Sequence, residues 1–394
     1  MQTNTTHIGF FILTEGRFMT SIPEATEGEA SDFQEAQHPR RVPALVTYLS
    51  PFRIVNPSLE SKWQCSIVQV NQQTWDFTQL HEIVGSIDVG LDKPYCLVVS
   101  RDGAIALPPL QIFLDTQKAV SFFNKILAAL LLGGIYVEAI NIDSVEKGSL
   151  IDYSYIRSHV SGLSLSSQFH ELIRLRMAPP ILAIQLYRPR QIVFEDLNNA
   201  AAMGFKAINS VVRLVPEYLL KGITGIARKD AGAALSNLWI VVEQLTEELW
   251  QRHLKNIDLE LDIPGRSSQL SDNRTWTTSV KQEVLYQSNV VDSVTLKALS
   301  RARKARNELV HRGREPSFED AQSALQATRH LLRIATNNDA LGFFSLDLSK
   351  HEISDPFAPK STTMHPEFWM PIPKLPGEEE IEHQEAERKR PRTA

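Results

Sequence analysis

The sequence predicts an α+β protein, with a mixed α/β N-terminal part followed by an all-α helical bundle. Short segments rich in β-branched and aromatic residues occur in the first half. From about Phe194, alanine, leucine and isoleucine recur at helical spacing. The 43% hydrophobic and 22% charged residues are typical of a globular protein with a full core. We expect one domain over residues 1–190, a helical domain over residues 191–340 and an irregular, mobile tail over residues 341–394.

The first half contains several candidate strands and one candidate helix. The first strands are Ile8–Thr14, Pro43–Tyr48, Trp63–Val70 and Tyr95–Val99, the last followed by a turn at Asp102–Gly103. A helical pattern covers Gln117–Leu132 and is closed by Gly133–Gly134, after which Ile135–Ile142 returns to strand character. The acidic segment Glu24–Glu35 is nearly free of apolar residues, which predicts an exposed loop.

Little in this half predicts chemistry. The segment Gly162–Ser166 (GLSLS) is similar to a nucleophile elbow, but it lacks the second glycine and a preceding strand. It is therefore interpreted as a serine cluster at a helix N-terminus. There is no Gly-rich phosphate loop and no His-Glu-x-x-His zinc motif, and no metal or cofactor is predicted. The half is expected to act as a sensor, regulatory or docking module that receives a partner or trigger.

The second half contains a series of helices with recognisable ends. The candidates are Asp196–Leu214, Glu217–Ala227, Ala231–Asn256 with Asp230 as its cap, Thr275–Gln287, Ser293–Arg312 with Asp292 as its cap, and Phe318–Thr336. A loop over Ile257–Arg274 separates the third helix from the fourth. Gly313 and Pro316 end the fifth helix, and Ser317–Asp320 forms a capping box that opens the sixth.

The segment Ala298–Gly313 contains apolar and basic residues, which a helical wheel separates. At about 100° per residue, one apolar stripe contains Ala298, Leu299, Ala302, Ala305, Leu309 and Val310. Lys304, Asn307 and His311 lie near the opposite side of the helix. Arg306 falls within the apolar arc. Because a guanidinium keeps its charge, Arg306 needs a carboxylate or a hydrated partner surface at this position.

Two motifs in these helices resemble the HEPN superfamily of helical ribonuclease domains. The first is Arg-Asn-x-x-x-His, formed by Arg306, Asn307 and His311 near the end of a long helix. The second is ALSNLWIVVEQL over residues 234–245, with Glu243 in the acidic position. Glu243 lies at the border of the core stripe of its helix, where it is either a partner for Arg306 or an ordinary exposed glutamate. The resemblance covers roughly residues 195–337. An α/β half joined to such a helical domain is similar to the Apea-like HEPN group.

The resemblance implies a metal-independent endoribonuclease with Arg306, Asn307, His311 and Glu243 as its catalytic residues. It also implies a 2′,3′-cyclic phosphate product, a site shared between two protomers, and a role in bacterial defence or a toxin-like system. The residue types fit this chemistry, because RNA supplies its own 2′-OH nucleophile and needs a proton acceptor, a proton donor and a cation that grips phosphate. The alternative is a non-catalytic HEPN domain that acts as an RNA-binding or dimerisation scaffold.

Charge and helix geometry restrict how RNA is bound. With a net charge of −5 the chain is no general polyanion binder, so an RNA surface must be local. The candidate RNA contacts are Arg301, Arg303, Lys304, Arg312 and Arg314, although a solvated face at a helix C-terminus explains such a cluster equally well. Arg306 and His311 diverge by about 140° on a straight helix. A homodimer is therefore expected, in which the arginine of one protomer approaches the histidine of its partner.

Cysteine usage and hydropathy favour a cytoplasmic protein. Cys65 and Cys96 are expected to be free thiols in a reducing compartment. The apolar run Ile8–Leu13 has no basic region before it and is too short for a signal peptide. The longest apolar segment, Ile126–Val137, is shorter than the roughly 20 residues that cross a bilayer. No membrane association is expected.

Overall fold

The computed structural model describes residues 40–158, 164–257, 266–270, 272, 274–353 and 377–389. A sheet occupies the N-terminal part of these residues, and helices make up most of the C-terminal part. The α+β class is thereby confirmed. The candidate strand Ile8–Thr14 and the acidic segment Glu24–Glu35 lie outside the described residues.

The described residues form eight strands in two sheets. The strands are β1 (Arg41–Tyr48), β2 (Arg53–Asn56), β3 (Ile83–Ile87), β4 (Leu97–Ser100), β5 (Ala104–Leu107), β6 (Glu146–Ile151), β7 (Tyr155–Ser158) and β8 (Arg190–Val193). Six of them form an antiparallel sheet in the order β3-β4-β5-β1-β6-β7, whereas β2 pairs in parallel with β8. Glu82 bridges to Tyr155, and the Ile83 N–H donates to the Ser154 carbonyl at 2.7 Å. The larger sheet therefore curves until its two edges meet.

The described residues contain fourteen α-helices, and each of the seven helices that the sequence predicts with stated bounds overlaps one of them. They are α1 (Ile67–Gln72), α2 (Phe77–His81), α3 (Thr116–Leu132), α4 (Leu165–Arg174), α5 (Pro180–Ala183), α6 (Phe194–Ser210), α7 (Pro216–Ala227), α8 (Ala231–Ile257), α9 (Arg266–Leu270), α10 (Thr278–Gln287), α11 (Ser293–Arg312), α12 (Phe318–Thr336), α13 (Gly342–Ser345) and α14 (Glu378–Lys389). The serine cluster is confirmed, because the Ser164 hydroxyl accepts from the Ser167 N–H and caps α4. Asp230 likewise accepts from the Ala233 N–H at 2.8 Å at the start of α8.

The strand predictions were right where strands pair locally. Pro43–Tyr48 lies within β1, Tyr95–Val99 overlaps β4, and the Asp102–Gly103 turn joins β4 to β5. The strand expected at Trp63–Val70 is wrong, because a capping box at Ser66 starts α1 inside it. The strand expected at Ile135–Ile142 is also wrong.

The backbone of Ile135–Ile142 is hydrogen-bonded mainly to side chains and not to a neighbouring strand. The Ile140 backbone exchanges hydrogen bonds of 2.9 and 3.0 Å with the Asn124 side chain. The Ala139 N–H donates to the Thr224 hydroxyl at 2.9 Å, and the Glu138 N–H donates to the Ser50 carbonyl. The backbone polar groups are thus satisfied without a sheet, which is what burial requires of them.

The described residues from Arg40 to Glu352 pack as one compact unit, and the described residues from Ile353 onward belong to a second unit. Within the first unit, α3 packs on α6 and α7, and α8 packs on α7 and α12. The hydrophobic core therefore continues across residue 190, where the mainly helical part of the chain begins. In contrast to the expected irregular tail, Leu341, Phe343 and Leu348 are buried in this unit. The second unit contains the helix α14.

The apolar segment Ile126–Val137 lies at the centre of this core. The residues of α3 that belong to this segment are all buried, which explains why the segment is apolar on every side of the helix. Within the part of the chain that the structure describes, no helix is both long and apolar enough to cross a membrane. Cys65 and Cys96 are free and buried, and burial raises the pKa of both thiols.

A buried polar cluster joins α4 to the curved sheet. Arg174 donates two hydrogen bonds to Asp102, from Nε and from a terminal nitrogen, each 2.6 Å long. His170 Nδ1 lies 3.0 Å from Asp102 Oδ2, and its ring stacks on Tyr48 with the centroids 4.0 Å apart. Burial alone raises the pKa of Asp102, but Arg174 and His170 reverse that effect and hold the pKa well below its usual range. The carboxylate is therefore ionised inside the protein.

The free energy of unfolding is expected to decrease as the pH falls from 6.5 to about 4. Burial, followed by the charge of Arg174, lowers the pKa of His81 to about 4, so the folded protein keeps this ring neutral. The unfolded chain binds a proton below about pH 6.5, which favours unfolding over that interval. The His81→Gln variant should lose roughly 3 kcal/mol of this pH dependence, as measured by urea unfolding at each pH. An unchanged pH profile in that variant would contradict the assignment.

Candidate nucleic-acid interface

Contacts within a few residues fix both ends of α11. Asp292 accepts from the Thr295 N–H at 2.7 Å and caps its start. Gly313 ends it in the left-handed conformation, with a φ of 64°, which favours glycine. The Ser317 and Asp320 capping box then starts α12 after a short connection. The last turn of α11, which contains His311, consequently ends at the surface.

The core stripe of α11 is shorter than the helical wheel predicts. Ala298, Leu299 and Ala302 are buried, whereas Ala305 and Leu309 are half-buried. The prediction for Val310 is wrong, because its side chain is 57% exposed. The neighbouring helices cover the first half of α11 and leave its last turns open. An exposed valine thus lies beside the candidate catalytic residues.

The three residues of the Arg-Asn-x-x-x-His motif are all accessible. Asn307 and His311 are exposed, and Arg306 is half-buried. Arg306 donates to the Asn307 side-chain oxygen at 3.4 Å, and it forms no ion pair with any described carboxylate. The wheel places Arg306 and His311 about 140° apart on this helix, so one straight α11 does not direct both toward one phosphate.

Glu243 lies on α8 and does not reach Arg306. Its side chain is half-buried, and Oε1 accepts from the Trp239 indole N–H at 2.7 Å, one turn earlier on the same helix. The structure therefore gives Glu243 a partner within α8 and does not bring it into an ion pair with Arg306. The helix that carries Glu243, α8, packs against α11.

The basic cluster divides into paired and unpaired cations. Arg301 is bonded to Asp320 at 2.7 Å, and Arg314 is bonded to Glu308 at 3.0 Å. Arg303, Lys304 and Arg312 have no ion pair among the described residues. Arg303 also lines a cavity of about 270 Å³ between α10 and α11. Together with Arg306, these are four cations of α11 without an ion pair among the described residues, on the same helix as the exposed Asn307 and His311, and such charges are available to phosphates.

The arrangement can hold a phosphate and exchange a proton with its surroundings. An accessible imidazole can accept or donate a proton, and an unpaired guanidinium suits two phosphate oxygens. Within the described ranges, no three His, Cys, Asp or Glu side chains come together as a metal site.

Comparison of the chain with protein families, with curated proteins and with solved structures finds no match.

Proposed function

We propose that the protein is a metal-independent endoribonuclease of HEPN type, acting through Arg306 and His311 at the end of α11. One observation supports this most. An exposed histidine and an arginine without a carboxylate partner lie at the open end of one helix, among further unpaired cations. Positive charge that no described carboxylate neutralises is available to phosphate oxygens.

The reaction needs no reagent beyond RNA itself. The 2′-oxygen attacks the adjacent phosphorus, the 2′-O–P bond forms, and the bond from phosphorus to the 5′-oxygen breaks. His311 accepts the 2′-proton, the leaving 5′-oxygen takes a proton from water, and the guanidinium stabilises the charge on the non-bridging oxygens. Asn307 donates to a phosphate oxygen. The products are a 2′,3′-cyclic phosphate and a 5′-hydroxyl, and DNA, which lacks the 2′-OH, is left intact.

A two-fold dimer resolves the divergence of Arg306 and His311. Val310 lies about 40° from Arg306 on the wheel, on the side turned toward His311. Its exposed side chain is suited to a contact between two copies of α11, and such a contact brings the arginine of one protomer near the histidine of its partner. Arg306 then obtains the hydrated surroundings that its charge requires.

Replacing Val310 with glutamate is expected to weaken the dimer by about tenfold or more, because a carboxylate must then be desolvated at a two-fold contact. Analytical ultracentrifugation over a concentration series measures the change. Val294→Glu is the matched control, since Val294 lies on the same helix and is 51% exposed. A monomeric wild type, or equal association of both variants, would refute the proposed seam.

The activity is tested directly with purified protein and total RNA in EDTA. The proposal expects fragments with 2′,3′-cyclic phosphate and 5′-hydroxyl ends, and an uncut single-stranded DNA of the same sequence. Binding of RNA by a dimer that never cleaves it would favour the scaffold function instead. Cleavage that stops on addition of EDTA would reject a metal-independent mechanism.

A further inference from the structure

Arg53, on β2, is a buried cation without a carboxylate. Only 7% of the residue is exposed. Its guanidinium donates to the Tyr136 carbonyl, and its buried Nε has no hydrogen-bond partner. An arginine cannot release its charge by losing a proton, so a buried guanidinium requires a negative partner. No described residue forms an ion pair with it.

A second arginine faces the first. Arg190 on β8 is the register partner of Arg53 in the parallel pair, so the two side chains leave the same face of that small sheet. Burial, followed by the charge of Arg190, lowers the pKa of Arg53 to about 10. Two like charges opposite each other on a strand pair destabilise it unless an anion lies between or beside them.

A histidine lies beside Arg190 and completes a cluster of Arg53, Arg190 and His351. His351 Nδ1 lies 3.3 Å from an Arg190 terminal nitrogen, and its ring stacks on Tyr136 with centroids 4.2 Å apart. Burial, together with the charges of Arg190 and Arg53, lowers the pKa of His351. His351, but neither arginine, also lines a cleft of about 360 Å³ together with Gly133, Gly134, Gly342, Asp347 and Lys350 among others.

The carboxylates around the cluster are bonded to other cations. Glu138 pairs with Arg228 at 2.7 Å and also accepts from the Tyr136 hydroxyl. Glu352 pairs with Lys229, and Asp347 lies 3.6 Å from Lys350. None of the three pairs with Arg53 or Arg190. The positive charge of this region is therefore left for a ligand.

We propose that Arg53, Arg190 and His351 bind the phosphate group of a small ligand, either inorganic phosphate or a phosphate monoester. Two guanidinium groups offer several donors to the oxygens of one doubly charged group, and arginine is favoured at such sites. The site joins β2 and β8 to the segment Leu348–His351 near the end of the compact unit. It is distinct from the α11 surface and does not depend on the ribonuclease proposal.

Thermal unfolding of the full-length protein tests the site at constant ionic strength, with chloride as the reference anion. Inorganic phosphate or AMP is expected to raise the melting temperature saturably, and adenosine is expected to have no effect. Arg190→Gln should weaken phosphate binding at least tenfold. Arg188→Gln is the matched control, because Arg188 is also exposed and lies over the Tyr187 ring. Arg53→Met should abolish binding, and Arg190→Gln keeps the test valid if that variant does not fold.

The probes also separate the two sources of phosphate. A full effect of inorganic phosphate assigns free phosphate, whereas a stronger effect of AMP assigns a nucleoside monophosphate, and either result supports the site. His311→Ala should bind the probe as wild type does, which keeps this test independent of RNA cleavage. Absence of saturable stabilisation by every phosphate probe, or equal binding by Arg190→Gln and wild type, would overturn the proposal.

Discussion

Under the proposed function, replacing His311 with alanine is expected to reduce the rate of RNA cleavage by about 10²–10⁴-fold, the usual contribution of a positioned proton-transfer group. Replacing Arg306 with alanine is expected to reduce it by about 10²–10³-fold, the usual effect of removing one group that stabilises transition-state charge. His311 is exposed at the end of α11, and Arg306 has no ion pair to lose. Neither change should therefore unfold the protein, and both surface substitutions are expected to alter stability little. Initial rates on a labelled RNA in EDTA measure the effect.

Lys297→Ala provides the control for this experiment. Lys297 is an exposed cation of α11 that lies outside the basic cluster. The Lys297→Ala variant should cleave RNA at a rate within about twofold of the wild-type rate, since a single surface cation contributes little at physiological salt. Cleavage at the wild-type rate by His311→Ala would remove the imidazole from the mechanism. An equal loss in Lys297→Ala would show that general charge, and not a specific site, drives the reaction.

The Arg174→Met substitution is expected to destabilise the protein by about 3–5 kcal/mol, the typical cost of removing one partner of a buried ion pair. Asp102 is 1% exposed, and Arg174 supplies two of its hydrogen bonds at 2.6 Å. Without Arg174 the carboxylate keeps its burial but loses its main counter-charge. Urea unfolding monitored by circular dichroism measures the change in the free energy of unfolding.

Two further variants interpret that result. Arg157→Met removes an exposed arginine of β7 and should change stability by no more than about 0.5 kcal/mol. The double variant Asp102→Asn with Arg174→Met should be more stable than Arg174→Met alone, because it leaves no uncompensated charge in the interior. A double variant that is less stable than both single variants would show that the charge pair is not the source of the effect.

Most helices could be predicted because their ends are specified locally. Asp292, Ser317 and Gly313 each determine a helix boundary through contacts within a few residues, and α11 and α12 begin and end as expected. The segment Ile135–Ile142 could not be predicted in the same way. Its β-branched composition favours a strand, but side chains from α3 and α7 satisfy its backbone, and those partners are distant in sequence.

The candidate site shows the same limit. The helical wheel placed Val310 in the core because periodicity predicts which face is apolar, but it does not predict where neighbouring helices stop. Glu243 accepts a hydrogen bond from Trp239, one turn away on the same helix, and does not pair with the distant Arg306. Arg53 and Arg190 gave no signal in the sequence, because only the pairing of β2 with β8 places them side by side.

Mixing two inactive variants tests the central claim most directly. If each site combines Arg306 of one protomer with His311 of its partner, then a heterodimer of Arg306→Ala and His311→Ala chains contains one intact site and one doubly altered site. After subunit exchange, the mixture should recover about one quarter of the wild-type rate of RNA cleavage, since about half of the dimers are mixed. A mixture that forms heterodimers but remains as inactive as each variant alone would contradict the account.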